Sequence, residues 1–370
     1  MLIVTILLGL VGLGLVVIVH ELGHFAAARA MGVEVEAFSV GWGPKIAGFT
    51  RKGTEWRFSA LPLGGYCKMK GEESFRKALE EKAPEIPREA GSYYGVSPWR
   101  RIIIALSGPI ANVIFAFFVF IIISTIAYTV PTYSNKIVLL SEFDLGLPRL
   151  SSYPADRAGM KTGDRIVSLD GKSVADFSDL LGTIPLSANK PIARPIEGDG
   201  LILDKTVTPM LDKNTGGGII GVTYWAEPIV GEVAAGSSAQ IAGLAAGDRI
   251  VSIDGKGVRH AVEALSILMS TKPERAKIGL TRGGIPMEMN VVLSWNEQGK
   301  SNLGLSFKTE THSVRAATSL GGAVSSGFKE TMSTFDATLK GLGTLFQGVN
   351  VFKALSGPAR ITYMVGQSAT

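Results

Sequence analysis

The sequence predicts a multi-domain membrane protein in which long apolar helices carry folded domains of mixed strand and helix. Three observations predict it. Leu2 to Val19 and Ile102 to Asn135 contain no charged residue. "AGMKTGDRIVSLDGK" (158–172) and "AGLAAGDRIVSIDGK" (242–256) lie 84 residues apart and match at eleven of fifteen positions. "EVEAFSVGWG" (34–43) and "EWRFSALPLGGYCKM" (55–69) alternate polar and apolar residues, as strands do. With 370 residues there is room for two or three domains. A hydrophobic content of 46%, 19% charged residues and a mean hydropathy of +0.27 are oilier than a soluble domain.

Residues 1–28 are the first expected span, since about 20 apolar residues cross the hydrocarbon core. A cleaved leader is the alternative, and its requirements fail. No Lys or Arg precedes Arg29, and no small-residue cleavage site closes a short apolar core. The second expected span, 102–133, follows Arg100 and Arg101 and holds "IFAFFVFIII" (114–123). Between them, residues 29–101 carry thirteen Lys/Arg against nine Asp/Glu, which by the positive-inside rule places them on the cytoplasmic side. Everything after Tyr133 then faces outward until the chain re-enters the membrane. Within 29–101, "RKGT" (51–54) reads as the turn of a hairpin, and "EESFRKALEEKAPEIPREA" (72–90) as a solvated linker with a short helix.

Each repeat holds short β-branched runs, Gly-Asp and Asp-Gly turns and one helical stretch, "DFSDLLGTI" (176–184) or "HAVEALSILMS" (260–270). "GGIIGVTY" (217–224) is echoed loosely by "SNLGLSF" (301–307). A duplicated α+β domain over 134–225 and 226–310 fits better than a solenoid, which needs more copies at a shorter period. In the tail, "AVSSGFKETMSTFDATLKGLGTLFQGVNVF" (323–352) spaces Phe, Met and Leu as a helix does, yet carries Lys329, Glu330, Asp336 and Lys340. The expectation there is an amphipathic helix packed against other helices.

A spread-out net charge of +5 gives no argument for a nucleic-acid partner. The single cysteine, Cys67, excludes an intramolecular disulfide and reads as a free thiol in a loop. No Gly-x-Ser-x-Gly elbow supports a serine hydrolase.

The chemistry concentrates in "VVIVHELGHFAAARA" (16–30). His20 and His24, four apart, are separated by about 40° around a helix and share a face. Two imidazoles there can bind one Zn²⁺, and Glu21 can reach a metal-bound water. Zinc lowers that water's pKa to about 7, and the carboxylate takes its proton as a peptide carbonyl is attacked. The same pattern occurs on soluble helices as packed or surface residues. Here three ionisable groups stand at the end of a membrane span, where such groups are costly and default to function. His260 and His312 read as ordinary packing or surface histidines.

"VVIVHELGHFAAARAMGVEVEAFSVGWGPKI" (16–46), "LPLGGYCKMKGEE" (61–73), "SPWRRIIIALSGPIANVIFA" (97–116), the duplicated "GDRIVSxDGK" and "ALSGPARI" (354–361) together resemble the site-2 protease family, most closely its bacterial RseP-like branch. The resemblance implies an intramembrane zinc endopeptidase. Its fold would be an α-helical transmembrane metalloprotease core with a membrane-associated β-hairpin and two α+β PDZ domains. It assigns 1–28 to the first transmembrane helix, 29–101 to a cytoplasmic loop with the hairpin and 102–133 to the second helix. Residues 134–225 and 226–310 become the PDZ domains, and 311–370 the region of an amphipathic or third transmembrane helix, with the family's last transmembrane helix and its third ligand missing. His20 and His24 would bind Zn²⁺ and Glu21 would be the catalytic base. The family's third ligand is an Asp within an Asn-x-x-Pro-x-Pro-x-x-Asp-Gly motif of a later helix. No such motif appears, and the Asp-Gly pairs at 170–171 and 254–255 belong to the repeats, so this ligand is expected beyond Thr370.

"SGPIAN" (107–112) is similar to a family signature. Pro109 kinks the helix, Gly108 allows tight packing, and Asn112 either serves the site or, as is commoner, bonds a neighbouring helix. The implied substrates are single-span membrane proteins such as anti-sigma factors, and remnant signal peptides. The hairpin edge would hold an unwound segment, with Gly64 and Gly65 allowing close approach; a plain cytoplasmic hairpin is the alternative. The PDZ pair would take peptide C-termini or act as a size filter. The implied location is the bacterial inner membrane, multi-pass, in contact with the lipid bilayer and with the PDZ pair periplasmic. The competing expectation is a membrane-tethered tandem-PDZ scaffold with an incomplete, non-catalytic metal site.

Overall fold

Helices α1 (Leu2–Ala30) and α3 (Pro98–Ser124) contain the two described segments long and apolar enough to cross a membrane, Val4–Ala30 and Pro98–Ser124. A computed structural model describes residues 2–83, 85–145, 152–198, 201–296, 301–347 and 349. The described residues cluster into two units, those within 2–126 with 316–336, and those within 127–315 with 337–349. At about 1.5 Å per residue, each 27-residue span is about 40 Å long, more than a hydrocarbon core of about 30 Å needs. Pro98 opens α3 at the one position where a missing N–H costs nothing. Val11 and Leu15 of α1, and Leu106, Ile110, Phe118 and Ile122 of α3, are exposed, as a lipid-facing surface requires. The two helices meet through small residues. A Cβ on Gly23 would lie 2.4 Å from the Ser107 carbonyl oxygen and 2.7 Å from Ala111 Cβ. In lipid, where burial of apolar surface gives no force between helices, such close packing is what joins them.

α3 ends at Ser124, short of the expected 133. Tyr128–Thr132 instead forms a strand paired antiparallel with Glu310–Val314. The charge-free run is longer than a span requires, and its β-branched end with Pro131 suits an edge strand. The amphipathic helix expected at 323–352 is present as Leu320–Leu345. Its small residues Ala323 and Gly327 meet α3: Ser124 Oγ donates to the Ala323 carbonyl at 3.2 Å, and a Cβ on Gly327 would fall 2.7 Å from Ile121 Cγ1. The "ALSGPARI" segment lies outside the described residues.

Strands β1 (Val35–Arg51) and β2 (Thr54–Met69) turn through Lys52 and Gly53, both at positive φ. The pairing folds back on itself. Ala47–Arg51 faces Thr54–Phe58, while Ala37–Val40 lies opposite both Gly65–Lys68 and Glu55–Phe58. Phe38, 1% exposed, is therefore held between Cys67 and Trp56. β1 runs to Arg51, well past the expected end at 43, because Gly41 and Gly43, at φ +91° and +92°, bend the strand and interrupt the alternation without ending it. Cys67 lies within β2, not in a loop, and burial pushes its thiol up to about 12. Helix α2 (Glu72–Glu80) is the short helix expected in the charged linker.

The second unit contains the repeat as two copies of one topology. In each, the first strand pairs antiparallel with the last: Ile137–Leu139 with Val222–Tyr224, and Val230–Val233 with Leu305–Phe307. The same backbone bonds recur. Ile137 N–H donates to the Asp164 carbonyl as Val230 N–H does to that of Asp248, at 2.9 and 2.8 Å. The duplicated motif has a physical reason. Asp164 and Asp248 accept the N–H groups of Lys161 and Ala245, and Asp170-Gly171 and Asp254-Gly255 form turns with the Asp in the left-handed region. The expected helices appear as Phe177–Thr183 and Ala261–Thr271. Each copy has its own core, one around Ile137, Ile166, Leu180 and Ile192, the other around Ile250, Ile253, Ile278 and Leu280.

His312 is exposed, with Nδ1 3.5 Å from the Asp176 carboxylate. His260 caps the helix Ala261–Thr271: its Nδ1 accepts the Glu263 N–H at 3.2 Å, and its ring packs on Phe143 and Trp225. Nε2 has no partner, and burial, reinforced by Arg259 and Lys136 against Glu263 and Glu227, pushes the pKa down to about 4. A pKa below the unfolded value means that this contribution to stability is complete above pH about 6.5. It declines by at most about 1.4 kcal/mol per pH unit as pH falls toward 4. Amide exchange on the intact protein should therefore show Ala261–Thr271 losing protection between pH 7 and 4.5, after correction for intrinsic rates. His260→Asn keeps a cap acceptor and should flatten that pH dependence.

Candidate metal centre

The HExxH motif occupies the last third of α1, and one helical turn brings its two imidazoles together. His20 Nε2 and His24 Nε2 are 3.2 Å apart, with the rings nearly perpendicular. His24 Nδ1 lies 2.7 Å from the Ile104 carbonyl oxygen on α3. A carbonyl only accepts, so Nδ1 carries the proton and Nε2 of the neutral ring is a bare lone pair. Ser107 Oγ donates to the same carbonyl at 2.6 Å. On the other ring, His20 Nδ1 is 3.2 Å from the side-chain amide of Asn112, whose Oδ1 is buried with no partner.

These residues fit zinc on two counts. Two nitrogens at about 2.0–2.1 Å on a tetrahedral Zn²⁺ stand about 3.3 Å apart, close to the separation found here. Space is left for them by Gly108, where a Cβ would lie 2.6 Å from Nε2 of both histidines. Among the described residues, no group of three or more His, Cys, Asp or Glu side chains has metal-holding geometry. The Asp-Gly pairs at 170–171 and 254–255 instead form turns of the repeats.

Glu21 is rotated about 100° from His20 around the helix. Its side chain heads to the hairpin, with Cγ 3.9 Å from where a Cβ on Gly65 would stand. At Gly64 a Cβ would meet Val17 Cγ1 at 3.0 Å. The glycine pair is thus where β2 crosses α1 beside the motif. Trp42 Nε1 fixes this crossing by donating to the Gly65 carbonyl at 3.2 Å.

The structure therefore brings His20 and His24 to one point and sets Glu21 beside a strand. Sequence reasoning missed the Ile104 carbonyl, whose role no side chain announces. It read Gly108 as a packing residue and gave Asn112 most often to a neighbouring helix. The i, i+4 spacing of Gly108 and Asn112, equal to that of the histidines, is a legible sign that they share one face of α3.

A sequence profile of Peptidase family M50 matches residues 8–370. A Treponema pallidum (strain Nichols) protein named "Putative zinc metalloprotease" is 38% identical over 368 residues, covering 99% of this chain and 80% of its own. A Borreliella burgdorferi protein of the same name is 29% identical over 364 residues, with 98% and 80% covered. Metalloprotease MmpA of Caulobacter vibrioides is 38% identical over 213 residues, 54% of this chain and 50% of its own.

Gly108→Ala should weaken zinc binding at least about tenfold in chelator competition, because the new Cβ intrudes on both Nε2 atoms. Gly341→Ala, at a helical position with open space around it, should leave binding unchanged.

Proposed function

The chain belongs to peptidase family M50, and from that premise we propose that it cleaves single-span membrane proteins within or near their transmembrane helices, with His20 and His24 holding zinc and Glu21 as general base. It is a membrane-embedded zinc metalloprotease. The observation that carries the assignment of residues is the 3.2 Å approach of the two Nε2 atoms, one of them fixed as a bare lone pair by the Ile104 carbonyl.

Zinc, when bound, supplies a Lewis acid that polarises a carbonyl and acidifies water. Glu21 takes the proton of the attacking water and returns it to the leaving amine. A helical substrate shields its carbonyls in its own hydrogen bonds, so it must be held extended. β2 passes beside Glu21, and a sheet edge offers backbone N–H and C=O groups to such a segment. Trp42, Phe58 and Leu61, each at least half exposed, give the hairpin an apolar surface suited to a membrane-helix substrate.

The repeats act as PDZ domains in this reading. Repeat 1 has an apolar cavity of about 240 Å³ lined by Leu180, Leu181, Ile184, Ile219 and Val222, where a peptide C-terminus can add as a strand. The same pair serves as a size filter for substrates already trimmed on that side. The basic excess of residues 29–101 supports a cytoplasmic loop, the bacterial inner membrane as the location and the repeats on the opposite side. Anti-sigma-factor-like proteins and remnant signal peptides are the substrate class.

Glu21→Gln should retain one zinc per chain while cleavage of a membrane-helix substrate falls at least about a hundredfold. Wild-type protein without zinc, and a variant indistinguishable from it, would establish the tandem-PDZ scaffold instead. Leu61→Asp, on the exposed face of the hairpin, should slow cleavage with zinc content unchanged; unaltered cleavage would remove the hairpin from substrate handling.

A further inference from the structure

Zinc needs both histidines in one tautomer. Nδ1 must carry the proton so that Nε2 is free, and an acceptor on Nδ1 holds that state and orients the ring. For His24 the acceptor is the Ile104 carbonyl at 2.7 Å. His20 has one neighbour in the same place, the amide of Asn112 at 3.2 Å from Nδ1.

The two ends of an amide are alike in size, so hydrogen bonding decides which end meets the ring. With the amino group toward His20, Nδ1 must be the acceptor. The ring proton then sits on Nε2, facing the bare Nε2 of His24 at 3.2 Å, and an N–H···N bond closes the site to metal. With the carbonyl toward His20, Nδ1–H donates to Oδ1 and both Nε2 lone pairs are released. With the amino group toward His20, Oδ1 is left buried without a hydrogen-bond partner. An asparagine kept only to tie two helices together would have both arms satisfied.

We propose that Asn112 is a positioning residue: its carbonyl accepts the His20 Nδ1 proton, fixes the tautomer and aims Nε2 at the zinc. The inference rests on His20 being a zinc ligand. Turning this amide opens or closes the site.

The test uses the full chain, with zinc affinity read by chelator competition and the Co²⁺-substituted protein by its visible spectrum. Asn112→Leu keeps the volume and removes the acceptor. It should weaken zinc by about 10–100-fold and shift the Co²⁺ bands. Asn112→Asp keeps an acceptor and should restore both readouts to near wild type. A helix-packing role predicts the reverse order, with Leu tolerated and Asp harmful. Wild-type affinity in Asn112→Leu, or Asp as weak as Leu, overturns the proposal. If Leu fails to fold, Asn112→Ala compared with Asp carries the same contrast. His20→Phe separates the two levels. Retained zinc there defeats the assignment of His20 itself, whereas lost zinc with an indifferent Asn112→Leu defeats only the present inference.

Discussion

Two imidazole nitrogens facing each other at 3.2 Å are the constraint on which this molecule depends. Bare lone pairs at that distance repel unless a cation or a proton lies between them. The fold nevertheless holds them there, and it does so from both helices. The Ile104 carbonyl fixes one ring, and Gly23 and Gly108 bring the backbones close enough for that bond to form. In a bilayer the same small residues are also what joins the helices. Helix packing and the placement of the two imidazoles are therefore one arrangement.

The hairpin extends the same logic. Gly64 and Gly65 lie against Val17 and Glu21, so a strand reaches the motif where any side chain would hold it off. Its fold-back pairing around Phe38 makes a short sheet from two strands, and Trp42 ties that sheet to Gly65 at the crossing. The second unit needs no such accommodation. Each copy has an apolar core of its own and is closed by pairing its first strand with its last.

Much of this was legible because it is local. Helical spacing places His20 over His24, hydropathy marks α1 and most of α3, and the Gly-Asp and Asp-Gly turns announce the duplication. What escaped depends on distant partners. Tyr128–Thr132 is a strand because Glu310–Val314 pairs with it; the β-branched end of the charge-free run permits a strand but does not disclose that partner. β1 continues through Gly41 and Gly43 because β2 folds beside it, which alternation alone does not reveal. The acceptor for His24 is a backbone carbonyl, invisible in sequence by its nature. His260 was read correctly as packing, but its capping of a helix appears only when Glu263 N–H is seen to donate to it. HExxH, by contrast, carries its geometry with it.

The most direct measurement is X-ray absorption at the zinc K-edge on the purified full chain. The account predicts two imidazole nitrogens at about 2.0–2.1 Å in the wild type, and the zinc signal lost from the protein when His24 is replaced by Phe. A spectrum without imidazole scattering, or one that His24→Phe leaves unchanged, would contradict it.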